Sequence, residues 1–214
     1  MTKTFQLLVG GPTQDLPEAL VQGTLTGRWA AADRGALRLL TYGYQPELVV
    51  GDFDSMTKAE QTQVFAHAQK VVPKLDQDQT DTELLLKSLE TYADVDRIDI
   101  YGATGGRLDQ LFSNFWIFTQ PALNQLIEKI HIIDQYNDVT FYRAGQHTIY
   151  KNPQMRYVGF MPLTRVEHLT LVDQKYPLTD WSGGPFSWSS NEFVGNENHF
   201  SFEQGIVAVI QSRN

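Results

Sequence analysis

The sequence predicts a protein of class α/β plus all-β, with an N-terminal, Rossmann-like and mostly parallel α/β domain followed by a C-terminal β-sandwich. Up to about residue 135, short apolar runs alternate with longer stretches of helical character, which is typical of βαβ units. Beyond about residue 136, short extended runs are separated by turn residues, which is typical of antiparallel sheets. We therefore predict one domain at 1–135 and another at 136–214.

Apolar runs predict the strands of the first domain, and they lie at 5–9, 29–32, 48–50, 98–101 and 130–133. Helical patterns between them lie at 35–44, 58–69 and 81–92. Thr80 and Glu83 have the spacing of a capping box, so Asp81 is expected in a first helical turn. A later helix is predicted to begin near Leu108, and its apolar residues cover two faces, so we expect it to be deeply buried.

Extended runs at 139–150, 157–163, 168–178 and 199–212 predict the strands of the second domain. Gly145 and Gly205 lie where hairpin turns are expected, because glycine accepts the backbone angles that such turns require.

The composition excludes several classes of protein. The 214 residues carry a formal charge of −8 and contain no basic run, which argues against a nucleic-acid partner. Cysteine is absent, which excludes disulfides, thiolate nucleophiles and cysteine-based zinc sites. The five histidines are scattered. No apolar run is long enough for a membrane span or a signal peptide, so we expect a cytoplasmic protein with no membrane partner.

Acidic residues follow several of the predicted strands. Asp52 and Asp54 come directly after the run at 48–50, and Asp33 follows the run at 29–32. Further carboxylates lie at 74–81 and 102–110. Since parallel strands place their carboxyl ends at one edge, these groups are expected to face a single cavity. A hard divalent cation removes their mutual repulsion, and Mg²⁺ commonly bridges carboxylates to substrate phosphates.

Two other interpretations of the carboxylates stay open. An isolated Asp-x-Asp is common turn chemistry, and Thr80 with Asp81 can be an ordinary helix start. Asp52 and Asp54 at a strand end also suit a phosphatase whose first aspartate is a covalent nucleophile.

The stretch "GATGGR" (102–107) matches neither a Walker loop nor a dinucleotide fingerprint. Glycines before a helix can still turn backbone N–H groups toward an anion, and Arg107 can hold a phosphate with two hydrogen bonds. Asp109 is expected in the first turn of the following helix, where it can hydrogen-bond or take part in metal binding.

Aromatic residues stand beside Ser and Asn in the second domain, at Tyr176, Trp181 and Trp188. Such a mixture suits a flat or cationic heterocycle, although the same rings can be sandwich core or edge residues.

Taken together, six ordered stretches resemble the thiamine pyrophosphokinase (thiamine diphosphokinase) family, and they are "AADRGALRLL", "PELVVGDFDS", "DQDQTDTE", "YGATGGRLDQ", "MPLT" and "YPL" with "SSNE". The resemblance implies transfer of the diphosphate group of ATP to the hydroxyl of thiamine, with release of AMP. It also implies an ATP- and Mg²⁺-binding catalytic domain at 1–135, a thiamine-binding domain at 136–214, and a homodimer with active sites at the subunit interface.

Matched motif by motif, the resemblance assigns residues to three roles. Asp52, Asp54 and Asp81 are the expected catalytic and Mg²⁺-binding residues. The diphosphate end of ATP is assigned to Asp33, Arg34, Gln79, Thr80, Arg107 and Asp109. The thiamine end is assigned to Tyr176, Ser190 and Asn191. A non-catalytic thiamine-binding module remains a further alternative.

This chain departs from the family pattern at two places. Many members have Gly where this chain has Arg34, whose guanidinium can itself bind phosphate. Many also read Gly-Leu-Lys-Tyr where this chain has Asp173, Gln174, Lys175 and Tyr176, so a different turn is expected before Tyr176.

Overall fold

A computed structural model describes residues 3–89, 92, 94–123 and 125–214. The chain divides into two compact units. The N-terminal unit contains residues 1–117 and 132–135, and the C-terminal unit contains residues 118–131 and 136–214. The predicted fold class is confirmed, since parallel strands and helices form the first unit and antiparallel strands form the second. The domain limits of 1–135 and 136–214 stay a prediction.

The strands of the N-terminal unit are β1 (Thr4–Leu8), β2 (Arg28–Ala32), β3 (Leu48–Gly51), β4 (Lys70–Pro73) and β5 (Arg97–Tyr101). They form a parallel sheet in the order β5-β1-β2-β3-β4. The chain steps outward from β1 to β4 and then returns to place β5 on the other side of β1. The strand order therefore reverses between β1 and β5, and the crevice beyond such a point is a common ligand site. The predicted run at 130–133 forms β6 (Ile130–Ile133).

The helices are α1 (Glu18–Val21), α2 (Arg34–Thr41), α3 (Lys58–His67), α4 (Asp81–Leu89) and α5 (Leu108–Trp116). Short 3₁₀ turns lie at Thr13–Asp15, Ile117–Thr119, Pro121–Leu123 and Ile127–Lys129. In the part of the chain that the structure describes, no helix is long and apolar enough to cross a membrane. The helix predicted over 81–92 is α4, and residues 90 and 91 lie outside the described residues.

Only half of the predicted capping box forms at the start of α4. The Thr80 hydroxyl accepts the Glu83 backbone N–H at 3.2 Å, but the Glu83 carboxylate pairs with Lys87 at 2.7 Å. A complete capping box opens α3 instead, where Thr57 and Glu60 each accept a hydrogen bond from the other's backbone N–H. Both helix starts are thus defined by polar side chains.

Helix α5 is less buried than its sequence predicts. Phe115 is buried, whereas Leu108, Phe112 and Trp116 are 69%, 49% and 37% exposed. The expectation of deep burial is therefore wrong for one of the two apolar faces. Pattern alone predicted an apolar face, but it carries no information on whether the rest of the chain covers that face.

The C-terminal unit is built from antiparallel strands, namely β7 (Asn137–Tyr150), β8 (Tyr157–Pro162), β9 (Val166–Leu171), β10 (Leu178–Gly183), β11 (Trp188–Glu192) and β12 (Glu197–Ser212). Strand β12 pairs with β7 along its length. Its first half also pairs with β9, and its second half pairs with β8. Strands β10 and β11 extend β9 and β8, respectively. Strand β12 thus changes its neighbour along its length, which agrees with the predicted β-sandwich.

Gly145 and Gly205 do not form hairpin turns, so that prediction is wrong. Both lie inside long strands, where the register between β7 and β12 shifts between Phe202 and Ile206. Both glycines have positive φ, 155° and 94°. Glycine at a β-bulge and glycine at a hairpin turn have the same sequence signature, because both positions need backbone angles that other residues avoid.

Candidate active site

A cleft of about 730 Å³ opens at the carboxyl ends of the parallel strands of the N-terminal unit. Its walls come from the segments that follow β1, β2, β4 and β5, together with the start of α4. The residues lining it include Gly10, Gly11, Asp33, Arg38, Lys74, Gln79, Thr80, Asp81, Gly105, Gly106 and Arg107. This cleft lies where the strand order reverses, which is the location predicted for a ligand in an open α/β sheet.

Asp33 occupies a tight position between β2 and α2. Its backbone has φ of 43° and ψ of −128°, which is unusual for a residue other than glycine. The Asp33 N–H donates to the Val50 carbonyl at 2.9 Å, and Asp33 Oδ1 accepts the Phe53 N–H at 3.2 Å. A Cβ atom at Gly51 would lie 2.0 Å from Asp33 Oδ1. Gly51 is therefore required for this carboxylate to sit beside the end of β3.

The charges of Asp52 and Asp81 act on Asp33, and we call these three residues the carboxylate cluster. The pKa of Asp33 is raised to about 7, mainly by burial, with a further contribution from the neighbouring Asp81 carboxylate and a smaller one from Asp52. The hydrogen bond from Phe53 opposes the shift. The shift shows that the protein environment disfavours the ionised form of the Asp33 carboxyl group.

Asp52 and Asp54 lie in the exposed loop after β3, outside the lining of the cleft. Asp52 Oδ1 accepts the Asp54 backbone N–H at 3.2 Å, and Oδ2 accepts Gln77 Nε2 at 3.4 Å. The hydrogen bond from Asp54 is the main reason that the pKa of Asp52 is lowered. Asp54 therefore supports Asp52 through its backbone.

Lys74 lies among the three carboxylates, and sequence reasoning missed it. Its side chain is 7% exposed, and Nζ lies 3.2 Å from Asp81 Oδ1. Burial lowers the pKa of Lys74, but the charges of Asp81, Asp52 and Asp33 together raise it. Asp81 Oδ1 is itself buried and accepts no hydrogen bond of good geometry from the described part of the chain, so the ion pair leaves acceptor capacity unused. In the sequence, Lys74 directly follows Pro73, the last residue of β4. This strand is too short to be predicted from its apolar residues, so the position of Lys74 was not predicted either.

No ready-made metal site is formed by three His, Cys, Asp or Glu side chains among the described residues. The predicted Mg²⁺ ligands Asp52, Asp54 and Asp81 thus stay a prediction.

The glycine-rich loop after β5 closes the other side of the cleft. The Gly11 N–H donates to the Gly102 carbonyl at 2.8 Å, and a Cβ atom at Gly11 would lie 2.2 Å from that oxygen. Buried side chains hold the loop, since Thr104 donates to Asp134 at 2.6 Å and Asn114 donates to the Ala103 carbonyl at 2.9 Å. Sequence reasoning missed these anchors because Asp134 is distant from the loop in sequence and Asn114 lies inside the following helix α5.

Arg107 and Asp109 form an exposed ion pair, in which Arg107 Nε donates to Asp109 Oδ1 at 3.1 Å. This hydrogen bond lowers the pKa of Asp109 and raises that of Arg107. Of the two, Arg107 lines the cleft.

The other predicted ATP-binding residues have different surroundings. Gln79 and Thr80 line the cleft, and Gln79 Oε1 accepts Lys87 Nζ at 3.3 Å. The Arg34 guanidinium donates to the Ser55 carbonyl at 2.7 Å, which ties it to the loop that carries Asp52. A cation that the sequence analysis did not select, Arg38, lines the cleft and donates to the Gly11 carbonyl at 2.6 Å.

A separate aromatic pocket of about 350 Å³ lies in the C-terminal unit. Tyr176, Phe186, Trp188 and Asn191 are among the residues lining it. Asn191 is buried, with its Oδ1 accepting the Tyr176 N–H at 2.9 Å and its Nδ2 donating to the Tyr176 carbonyl at 2.7 Å. Asn191 thus fixes the backbone that presents the Tyr176 ring.

The turn before Tyr176 is also defined by side chains. Asp173 accepts the His199 N–H and pairs with its ring, each at 2.6 Å. Gln174 forms an isolated bridge with Phe193. The departure from the family pattern at Asp173 and Gln174 therefore leaves an ordered turn.

Ser190 lies at a register shift between β11 and β8, with φ of 59°. It lines a smaller pocket of about 160 Å³, together with Tyr157 and Ser212. The predicted thiamine-binding residues are thus divided, because Tyr176 and Asn191 line the aromatic pocket and Ser190 lines its neighbour. Ser189 lines both pockets.

The fold and the site define a two-unit protein with an acidic, glycine-walled cleft in an α/β unit and an aromatic pocket in a β-sandwich. Comparison with known families agrees with this class. The family model for "Thiamin pyrophosphokinase, catalytic domain" matches residues 25–131, and that for "Thiamin pyrophosphokinase, vitamin B1 binding domain" matches residues 146–207.

Individual relatives extend over nearly the whole chain. The thiamine pyrophosphokinase of Bacillus subtilis (strain 168) is 33% identical over 215 residues, covering 98% of this chain and 99% of its own. A crystal structure of a protein from Lactobacillus plantarum has a TM-score of 0.89 at 46% identity, covering 99% of this chain and 100% of its own. That of a thiamin pyrophosphokinase family protein from Enterococcus faecalis has a TM-score of 0.90 at 34% identity, covering 99% of each chain.

The chain therefore belongs to the thiamine pyrophosphokinase family, and the family predicted from the sequence motifs is confirmed. It is accordingly an enzyme that transfers a diphosphate group to thiamine.

Proposed function

We propose that the cleft of the N-terminal unit binds Mg·ATP and that the enzyme transfers the diphosphate group to the hydroxyl of thiamine, releasing AMP. The observation that carries this proposal is that Asp33 and Asp81 of the carboxylate cluster line one cleft with a glycine-rich loop and Arg107. Backbone N–H groups and a guanidinium suit phosphate oxygens, while the carboxylates suit the cation that accompanies them.

The donor set of the cluster fits a hard divalent cation. Among the described residues, Asp81 Oδ1 is a buried oxygen without a hydrogen-bond partner, and burial together with the neighbouring Asp81 carboxylate raises the pKa of Asp33. Among the predicted Mg²⁺ ligands, Asp52 and Asp81 have the strongest support. The charges of both carboxylates raise the pKa values of Lys74 and Asp33. Asp54 enters the proposal through its place in the same loop as Asp52. When bound, Mg²⁺ neutralises charge on the phosphates and orients them.

The phosphate groups are proposed to contact residues on both sides of the cleft. Arg107 supplies a guanidinium on the glycine-rich side, with Asp109 as its present partner. On the opposite side, Gln79 and Thr80 precede α4, whose first turn offers backbone N–H groups. The role proposed for Arg34 is to hold the loop of Asp52 through Ser55.

Thiamine is proposed to bind the C-terminal unit, within the family-predicted 136–214 domain. The Tyr176 ring suits a flat, cationic heterocycle, because such rings attract both stacking partners and cations. Asn191 positions that ring, and Ser190 provides a hydroxyl in the adjacent pocket. The homodimer with active sites at the subunit interface, which the family resemblance implies, and the cytoplasmic location also stay proposals.

In the proposed reaction, the thiamine hydroxyl attacks the β-phosphorus of ATP in line, and AMP leaves with the bond electrons. The protein's main tasks are to position the two substrates and to compensate charge, since phosphoryl-type transfer needs little covalent help. The hydroxyl proton leaves to a nearby carboxylate or to water.

The test is to incubate the protein with ATP, Mg²⁺ and thiamine and to quantify the products by chromatography. We expect AMP and thiamine diphosphate in equal amounts, with no AMP when thiamine or Mg²⁺ is omitted. A phosphatase acting through Asp52 would instead release inorganic phosphate without thiamine. A non-catalytic module would bind thiamine and give no AMP, and either of these results would refute the proposal.

A further inference from the structure

The position of Lys74 is fixed by the strand that precedes it. Pro73 is paired opposite Gly51 at the end of β4, and the Lys74 backbone N–H donates to the Gly51 carbonyl at 2.8 Å. The Lys74 side chain therefore starts beside the residue that precedes Asp52. The parallel sheet thus delivers a lysine to the same edge that receives the aspartates.

The Lys74 side chain is directed into the carboxylate cluster and away from solvent. Lys74 Nζ lies 3.2 Å from Asp81 Oδ1. The Lys74 side chain is 7% exposed, whereas that of its partner Asp81 is 27% exposed, so the lysine is the more buried of the two. Asp52 and Asp33 also act on its charge. An ammonium group so placed compensates the charge of Asp81 directly and reduces the repulsion from Asp52 and Asp33, at the position where a cation is otherwise required.

We propose that Lys74 is a built-in counter-ion, which occupies the carboxylate cluster when no divalent cation is bound and which must leave Asp81 before a divalent cation binds. Lys74 then sets the affinity of the site for metal and keeps the cluster compact between turnovers. This inference rests on the proposed function, because it takes the carboxylate cluster as the metal site.

Two consequences follow from competition between cations. Removing the Lys74 charge eliminates both the competitor and its repulsion of the incoming metal, so metal binding becomes tighter. Metal binding in the wild-type protein displaces the ammonium from its partners, so Lys74 becomes accessible to reagents in the cleft. A lysine that only packs in the wall of the cleft, or one that promotes metal binding, would give neither tighter metal binding in the variant nor greater accessibility of Lys74 with metal.

The first experiment measures Mn²⁺ binding to the whole wild-type protein and to Lys74→Met by titration calorimetry without nucleotide. Methionine keeps most of the side-chain volume and removes the charge. We expect the Kd for Mn²⁺ to fall by about tenfold, on the basis of one charge removed from the immediate surroundings of the metal. Lys70→Met is the matched control, because Lys70 is exposed at the other end of β4. Its Kd is expected to equal that of the wild type.

An unchanged or weaker Kd in Lys74→Met would overturn the inference while leaving the proposed function intact. If the wild type binds no Mn²⁺, both the proposed metal site and this inference are refuted. The proposed function is tested separately, because its failure would appear as the absence of AMP in the product assay.

The second experiment needs no variant, so it stays decisive even if Lys74→Met does not fold. Wild-type protein is acetylated briefly with and without Mg²⁺, and modification of each lysine is measured by mass spectrometry. Lys74 is expected to be protected without Mg²⁺ and to become several times more reactive with it, while the exposed Lys70 is equally reactive in both samples. Equal protection of Lys74 in the two samples would contradict the inference.

Discussion

Asn191 offers a prediction whose size follows from the hydrogen bonds it makes. It is 4% exposed and bonds both the N–H and the carbonyl of Tyr176, at 2.9 and 2.7 Å. Asn191→Ala removes these two bonds and the third that Asn191 Oδ1 accepts from the Glu192 N–H at 3.0 Å, each worth at most about 1 kcal/mol net. Since Tyr176 is 58% exposed, water can reach part of its backbone and limit the penalty for unpaired groups. We therefore expect the free energy of unfolding to fall by about 2 kcal/mol.

Urea unfolding followed by tryptophan fluorescence measures this loss. Asn196→Ala is the matched control, because Asn196 is an exposed asparagine in the turn between β11 and β12, and its unfolding free energy should stay within about 0.5 kcal/mol of the wild type. The KM for thiamine should rise in Asn191→Ala, because the Tyr176 ring is no longer held in place. A stability loss below about 0.5 kcal/mol, with an unchanged KM, would refute the role assigned to Asn191.

Three further predictions concern residues outside this turn. Gly51→Ala should lower the unfolding free energy by about 3 kcal/mol, because the new Cβ lies 2.0 Å from Asp33 Oδ1 and φ is 147°; unchanged urea unfolding would show that Asp33 can move away at no cost. Thr57→Ala should cost about 1 kcal/mol through the lost cap of α3, again by urea unfolding, and no loss would mean that the cap is replaced by water. The hydrogen bond to Asp173 raises the pKa of His199, so the stabilisation from this pair is present below the unfolded histidine pKa and is lost as pH rises through the folded one. The difference in unfolding free energy between wild type and His199→Gln should therefore shrink from about pH 6 to about pH 8, the range in which histidine titrates. A difference that grows with pH would contradict the assigned interaction.

The sequence predicted those parts of the site that follow from strand ends. Asp33 and Asp52 come directly after clear apolar runs, and a parallel sheet brings such positions to one edge whatever their separation in the chain. The start of α4 was predictable from Thr80, since a capping residue acts locally.

Other parts of the site depend on contacts that no local pattern carries. Lys74 escaped notice because β4 has only two consecutive valines, and its surroundings are set by pairing with β3. Gly205 was misassigned because a bulge and a turn both select glycine. Phe112 lies on an exposed face of α5. Hydrophobic spacing predicts an apolar face, but it cannot specify whether other residues cover that face.

The proposed metal site can be tested by comparing the wild type with Asp52→Asn in the assay that quantifies AMP and thiamine diphosphate. Asp52 is exposed, so the variant is expected to fold, and circular dichroism checks this. Asp94→Asn, at an exposed aspartate paired with Lys3, is the control and should keep the wild-type rate. We expect Asp52→Asn to slow formation of both products by at least about a hundredfold, because the variant loses a carboxylate proposed to hold the Mg²⁺ that neutralises the charge of the reacting phosphates. Wild-type turnover in folded Asp52→Asn would contradict it.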